Sequence, residues 1–373
     1  MAETSLEHHF EELYIHDSCW DSIVARRVRQ YLKTNAQRVF EKPYSGKTGV
    51  LSGAEFSHSK KRLYLAPHKG HFFRKCPGTG GAACCNYFVL NLGVQCNMNC
   101  SYCYLQSYIN SPVSQIYTNI EDALLELETI VKQNPNAPFR VGTGETIDSL
   151  SLDDLTGYSA ILVDWFSKYP HLTCEFKTKS DNIKNFIGQN HAGNVVVSFS
   201  INPQKIVETE EHQTASLSAR LNAARLSSDQ RFPVAFHIDP MVYVDGWKDL
   251  YSELVESVTN RFQPREIRWI SVGALRFPPE MKHILRERFG GESIAIKSEL
   301  YLSDDGKLRY DQALRSEMFE HVISEFRKRD PQFPVFLCME SPETWLSTFN
   351  ASPRQVPSIS DLFKPIGMAP QLV

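Results

Sequence analysis

The chain has 373 residues, 42% apolar and 22% charged, the makeup of a folded globular protein whose length suits about two domains. Its 40 Lys and Arg against 43 Asp and Glu leave a net charge of −3, which excludes a chain basic throughout but not a local patch that meets nucleic acid. No apolar stretch approaches the ~18 residues of a membrane helix, and the opening Met-Ala-Glu-Thr-Ser-Leu-Glu-His-His carries acids where a signal peptide needs basic and apolar residues, so a cytoplasmic protein without membrane contact is expected. Nine cysteines in such a chain favour metal or redox chemistry over a disulfide framework.

In chain order, Leu13-Tyr14-Ile15 reads as a strand. A helix follows, capped by Ser18 with Asp21, with Trp20, Ile23, Val24, Val28, Tyr31 and Leu32 on one face. Residues 41–61, polar and rich in Gly and Ser, read as a loop, and Leu63-Tyr64-Leu65 as a further strand. From Tyr87 onward short apolar runs alternate with helical periodicity: 87–92, 139–141, 172–176, 195–199, 234–238 and 267–272 as strands, with helices over 120–131, 155–166, 217–226 and 247–258. Six strand–helix units imply a parallel sheet with right-handed crossovers, doubly wound or an open partial barrel, whose ligands bind at the carboxyl ends of the strands. Residues 311–329 make one more helix and 334–339 a last strand. The organisation expected is an N-terminal α/β lobe over 1–75, a barrel over 76–275 and a C-terminal extension over 276–373.

The chemistry concentrates in Cys96-Asn-Met-Asn-Cys100-Ser-Tyr-Cys103-Tyr104, just after the first of these strands and before its helix. Three thiolates there can hold three irons of a four-iron cluster and leave the fourth open for a ligand. Zinc is the rival, but a structural zinc asks for a fourth Cys or His, and none lies near in sequence; inert buried thiols are the third reading.

The spacing Cys-x-x-x-Cys-x-x-Cys before an aromatic residue resembles the radical S-adenosylmethionine (SAM) superfamily. Further segments resemble the spore photoproduct lyase family: Cys100-Ser-Tyr-Cys-Tyr-Leu-Gln106, Phe176-Lys-Thr-Lys179, Ser198-Phe-Ser-Ile-Asn202, Pro240-Met-Val-Tyr-Val-Asp-Gly-Trp247 and Leu275-Arg-Phe277, in order from about residue 13 to 330. The resemblance implies an open partial (β/α)6 barrel with N- and C-terminal α/β extensions. It implies a [4Fe–4S] cluster on Cys96, Cys100 and Cys103, with SAM chelating the open iron, and a 5′-deoxyadenosyl radical formed by one-electron cleavage. It places Tyr102 and Tyr104 beside SAM and the radical path, and Lys179 and Ser200 in contact with SAM. It implies a DNA or nucleotide substrate, such as a photolesion, and an electron donor such as flavodoxin or ferredoxin.

The chain departs from that pattern where the family's second barrel strand ends in a hydrogen-donating cysteine: Thr143 stands there, and a hydroxyl hydrogen is bound too tightly to pass to a carbon radical. The next residues, Gly144-Glu145, resemble the superfamily's Gly-Gly-Glu, whose carboxylate takes the methionine ammonium. Three extra cysteines, Cys76, Cys84 and Cys85, precede the first strand. About 8 residues at ~3.3 Å put Cys84 and Cys85 ~25 Å from the cluster, whereas Cys76 can fold back. Inert thiols, a thiol relay or a second metal site with His68 or His71 are the readings for this group; Cys19, Cys174 and Cys338 read as core. Lys60-Lys-Arg62, Lys69, Arg74 and Lys75 among aromatics, the basic helix 282–288 and the turn Gly306-Lys-Leu-Arg-Tyr310 are candidate nucleic-acid contacts. Two other readings stand beside this one: the same radical chemistry on a small molecule or peptide, and a non-enzymatic iron–sulfur or zinc module.

Overall fold

The computed structural model describes residues 8–45, 49, 51–78, 80–364 and 366, so most of the opening segment that argued against a signal peptide lies outside the described residues. Two sheets carry the architecture. The larger has eight strands in the order Val335–Leu337, Ile267–Ala274, Val234–Met241, Val195–Ser200, Thr173–Thr178, Arg140–Gly142, Tyr87–Leu90 and Phe73–Lys75, parallel throughout except for the last pair. All six expected strands are present, from Tyr87–Leu90 as first to Ile267–Ala274 as sixth, but only turns, and no helix, join the third, Thr173–Thr178, to the fourth, Val195–Ser200; Val335–Leu337 adds a seventh parallel strand.

The sheet is curled. Arg140 on the second strand and Trp269 on the sixth are four strands apart, ~19 Å in a flat sheet. The Arg140 guanidinium nevertheless lies 4.9 Å from the Trp269 ring and 5.0 Å from that of Tyr87. Only an open half barrel brings those strands face to face. The outer face is covered by the helices Ile120–Gln133, Tyr158–Ser167, Leu217–Asp229 and Trp247–Thr259, and Phe139, Phe166, Phe176, Phe186, Phe199 and Phe236 fill the core fully buried, each contributing roughly 1.5–3 kcal/mol by leaving water. The concave face is polar: Glu175 and Lys177 of the third strand, Ser198 of the fourth, His237 and Asp239 of the fifth and Ser271 of the sixth form a hydrogen-bonded and charged lining.

The second sheet has the order Ala36–Val39, Glu12–His16, Arg62–Ala66, Ser114–Tyr117 and Gly93–Val94. It recruits its last two strands from beyond residue 75, out of the loop that follows the first barrel strand. Three local expectations change. Ser22, not Ser18, caps the first helix, accepting from Ala25 N at 3.1 Å, because residues 17–19 form a separate 3-10 turn. The expected loop 41–61 contains the helix Gly53–Ser59, begun by a capping box between Ser52 and Glu55. The helix expected over 155–166 is split into Asp153–Thr156 and Tyr158–Ser167 by Gly157 at φ 68°, where a Cβ would strike the Arg27 guanidinium.

Candidate active site

The three-thiol loop lies at the carboxyl ends of the strands, pinned from several directions. Asn99–Cys100 pairs antiparallel with Glu211–His212, setting Cys100 opposite Glu211. Ser101 N donates to the Glu210 carbonyl at 2.8 Å and its hydroxyl to the Glu210 carboxylate, which also accepts from Ile294 N at 3.1 Å. From the N-terminal side Lys60 Nζ donates to the carbonyls of Cys96 and Met98 at 2.7 and 2.6 Å. From the C-terminal side Arg288 donates to Asn99 and Gln106 and, through Nε, to Ser57 Oγ at 3.0 Å.

The loop's thiols form one electrostatic group. Burial first, then the nearby Asp148, pushes the Cys96 thiol up to about 12, with Lys60 acting against this. Burial likewise raises Cys100, which feels Lys179, Glu211, Cys103 and Cys96. Thiols that resist ionisation individually become thiolates when a metal takes the place of their protons, so the donor set suits a cationic inorganic centre. Among the described residues no three Cys, His, Asp or Glu side chains converge as a single metal ion requires, whereas a cluster spreads its ligands over separate irons.

Loops from the next two strands reach the thiols. Gly144 is packed so tightly that a Cβ would lie 2.9 Å from both the Lys177 carbonyl and Ser149 Oγ. Glu145 follows it, its carboxylate 2.8 Å from Arg74 Nη2 and its carbonyl accepting from Tyr104 Oη at 2.9 Å. Tyr104 stands half-exposed at the mouth and feels both Cys103 and Cys76. Thr143 is buried, its hydroxyl donating to Ser149 Oγ at 2.9 Å. Asp148 accepts from Lys179 N at 2.8 Å and fixes the end of the third strand.

Tyr102 and Lys179 belong to a buried network that sequence reasoning missed. Its centre is Glu211, which accepts from the Tyr102 hydroxyl and from Asn202 Nδ2 at 3.1 Å, and lies 2.6 Å from Arg220 Nη1 and 3.6 Å from Lys179 Nζ. Burial alone would raise Glu211; Lys179 and Arg220 overcome it and hold the carboxyl at about 2. Arg220 also donates to the carbonyl of Ser200, itself buried at the end of the fourth strand. A Glu-Glu pair closing a helix reads in sequence as solvated charge, and no local signal shows that both side chains turn inward.

The extra cysteines separate. Cys76 N donates to the Tyr87 carbonyl at 2.9 Å, and Cys76 feels Cys85, Glu145 and Cys84, while Lys307 of the hairpin Tyr301–Leu302/Leu308–Arg309 feels Cys76 in turn. Its backbone thus lies beside Tyr87 at the start of the first barrel strand, with Glu145 within electrostatic range of its thiol. Cys85 Sγ accepts from Arg140 Nη2 at 2.9 Å. His68 stacks on Tyr117 at 4.2 Å and His71 faces Glu126 at 3.4 Å, so neither completes a metal site with these thiols. The basic stretch is largely committed elsewhere: Lys60 to the thiol loop, Lys61 to Glu11 at 2.7 Å, Arg62 to Glu12 at 3.0 Å and Arg74 to Glu145, which leaves Lys69 and Lys75 exposed. In the helix Met281–Phe289 Arg288 turns onto the thiol loop, while Arg286 stays exposed.

A half barrel with three thiols looped above its first strand, and Gly144-Glu145 opposite them, defines a radical SAM enzyme. The family model described as spore photoproduct lyase matches residues 79–313, well over half of the chain. This protein belongs to the spore photoproduct lyase family. It is 21% identical over 326 residues to the spore photoproduct lyase of Clostridium acetobutylicum, covering 86% of this chain and 95% of that one. It is 24% identical over 226 residues to that of Geobacillus sp., covering 60% of this chain and 64% of the relative, just under two thirds of its length. Its fold matches a solved spore photoproduct lyase variant with bound AdoMet and dinucleoside spore photoproduct, with a TM-score of 0.74 over 89% of this chain and 98% of that one at 19% identity. No helix among the described residues is long and apolar enough to cross a membrane.

Proposed function

We propose that this chain reverses a dinucleoside photolesion in DNA by radical SAM chemistry, with Cys76 supplying the hydrogen that Thr143 cannot. The observation that supports this reading is that Tyr104, next to Cys103 in the thiol loop, feels Glu145, Cys103 and Cys76 together, and that Cys76 feels Glu145 in turn. Cys96, Cys100 and Cys103 would hold the [4Fe–4S] cluster. Glu145, presented by the closely packed Gly144, would accept from the ammonium of SAM, with Lys179 and Ser200 bordering its other groups from the strand ends. When bound, the cluster and SAM together supply a 5′-deoxyadenosyl radical that abstracts hydrogen from the substrate.

The remaining work falls to the chain. Burial first, and the neighbouring Cys85, Glu145 and Cys84, raise the Cys76 thiol above its ordinary value, so it stays S–H at neutral pH. An S–H bond is weak enough to give its hydrogen to a product carbon radical, leaving the radical on sulfur. Tyr104 lies within electrostatic range of Cys76 and borders that path, whereas Tyr102, spent on Glu211, anchors the loop. The hairpin beside Cys76 exposes Tyr301 and Leu302, 54% and 68% accessible, as surfaces on which bases can stack. A low-potential donor such as flavodoxin or ferredoxin, and a cytoplasmic setting, complete the proposal.

The test is anaerobic reconstitution, dithionite reduction and chromatography of the products with SAM and dinucleoside spore photoproduct. Wild type is expected to form 5′-deoxyadenosine and consume the lesion, and Cys76→Ala to keep the first reaction and lose clean reversal. If 5′-deoxyadenosine forms while the lesion persists, the substrate is wrong and a small molecule or peptide takes its place. No 5′-deoxyadenosine from iron-loaded protein would remove the enzyme class.

A further inference from the structure

Two cations from outside the barrel grip the thiol loop. Lys60 follows the helix Gly53–Ser59, and Arg288 sits in the last turn of Met281–Phe289; these segments are far apart in sequence yet meet the same eight residues. Both are partly buried, and Arg288 also lies 4.8 Å over the Phe56 ring and 4.7 Å over Phe289. Lys60 in turn lies 5.2 Å over Phe56, so the two charges share one aromatic wall. Among the described residues neither is within 4.0 Å of a carboxylate, although the chain pairs most of its other buried cations, as with Arg220 and Glu211 or Arg276 and Asp239. Burial pulls both cations down, Arg288 to about 10, and the thiols of the loop they hold act against it, Cys96, Cys103 and Cys100 on Lys60 and Cys103 and Cys100 on Arg288.

Charge withdrawn from water calls for a counter-charge, and two like charges converging on neutral groups are unfavourable. The thiolate ligands of a cluster supply the missing anion. Resting on the cluster reading above, we infer that Lys60 and Arg288 are positioning residues that hold positive charge against the three-thiolate centre and favour its reduced, more negative state. One added electron makes the centre one unit more negative, so a fixed cation a few ångströms away stabilises the reduced form more than the oxidised one. Their hydrogen bonds to Cys96, Met98, Asn99 and Gln106 fix the distance at which that charge acts. A cluster in this family must be reduced at low potential before SAM can be cleaved, and the two cations ease that step without touching SAM.

The experiment is an EPR-monitored potentiometric titration of the reconstituted cluster, with iron and sulfide counted per chain, in Lys60→Met, Lys60→Arg, Arg288→Gln and Arg288→Lys. Each neutral variant is expected to shift the one-electron reduction equilibrium about tenfold toward the oxidised form, a fall of ~59 mV. The charge-keeping variants should return near the wild-type potential. Neutral variants that bind full iron at an unchanged potential would overturn the inference, as would equal loss of iron from Lys60→Met and Lys60→Arg, which would make shape rather than charge the cause. Iron lost from Lys60→Met and recovered in Lys60→Arg supports it. Wild-type protein that takes up no iron would instead refute the cluster reading itself.

Discussion

Replacing Glu211 by Gln keeps the size of the side chain and an oxygen that can accept from Tyr102 and Asn202, while removing the negative charge. Arg220, wholly buried 2.6 Å away, and Lys179 at 3.6 Å would then lack their counter-ion. The cost follows from the carboxyl's own titration. Depression from the usual 4.5 to about 2 in the folded protein corresponds to about 3 kcal/mol of stability at neutral pH. Because the folded value lies below the unfolded one, that stability is complete above pH 4.5 and disappears as the pH falls toward 2. Breaking a buried ion pair from one side typically costs ~3–5 kcal/mol, in agreement. Urea denaturation of the reduced apoprotein, followed by near-ultraviolet dichroism, should show Glu211→Gln weaker by about 3 kcal/mol at pH 7, with the gap to wild type narrowing below pH 4.5. Since Glu211 pairs with Cys100, the variant should also load less iron at limiting iron and sulfide. A variant within about 0.5 kcal/mol of wild type at pH 7, the ordinary range for an inconsequential surface change, would refute the argument.

Other predictions rest on separate contacts. Cys103→Ala should remove the cluster's visible absorbance while leaving the far-ultraviolet dichroism unchanged, and full iron and sulfide in that variant would contradict the ligand assignment. Gly142→Ala places a methyl against the Tyr87 hydroxyl, and should lower the denaturation midpoint by an amount equivalent to about 1–3 kcal/mol; an unmoved midpoint would show that the strands part more easily than their packing implies. Burial and Lys177 pull His237 down to about 4 although Glu175 at 2.7 Å opposes them. The imidazole is therefore neutral at pH 7, and its share of stability is present above pH 6.5 and lost as the pH falls through about 4. The pH slope of unfolding between 6.5 and 4 should flatten in His237→Gln, and an unchanged slope would assign it to other groups.

Period and punctuation made the six barrel strands legible, since a parallel strand covered by helices is a short, nearly continuous apolar run. The cysteine spacing was equally local, because three ligands of one centre must come from one loop, and the resemblance to the radical SAM superfamily followed from it. What one dimension concealed was everything that depends on distant residues meeting. The apolar runs gave no sign of the polar concave lining, since Glu175, Ser198, His237 and Ser271 converge only once the sheet curls. Cys76 was readable as a thiol but not as a neighbour of Glu145, and Lys60 and Arg288 looked like solvated or nucleic-acid-binding charge until folding turned them onto the cysteine loop. Side-chain chemistry and periodicity are properties of the chain itself, whereas burial and counter-charge are properties of a site, and Glu210-Glu211 acquires them only when Asn99–Cys100 comes to lie beside it.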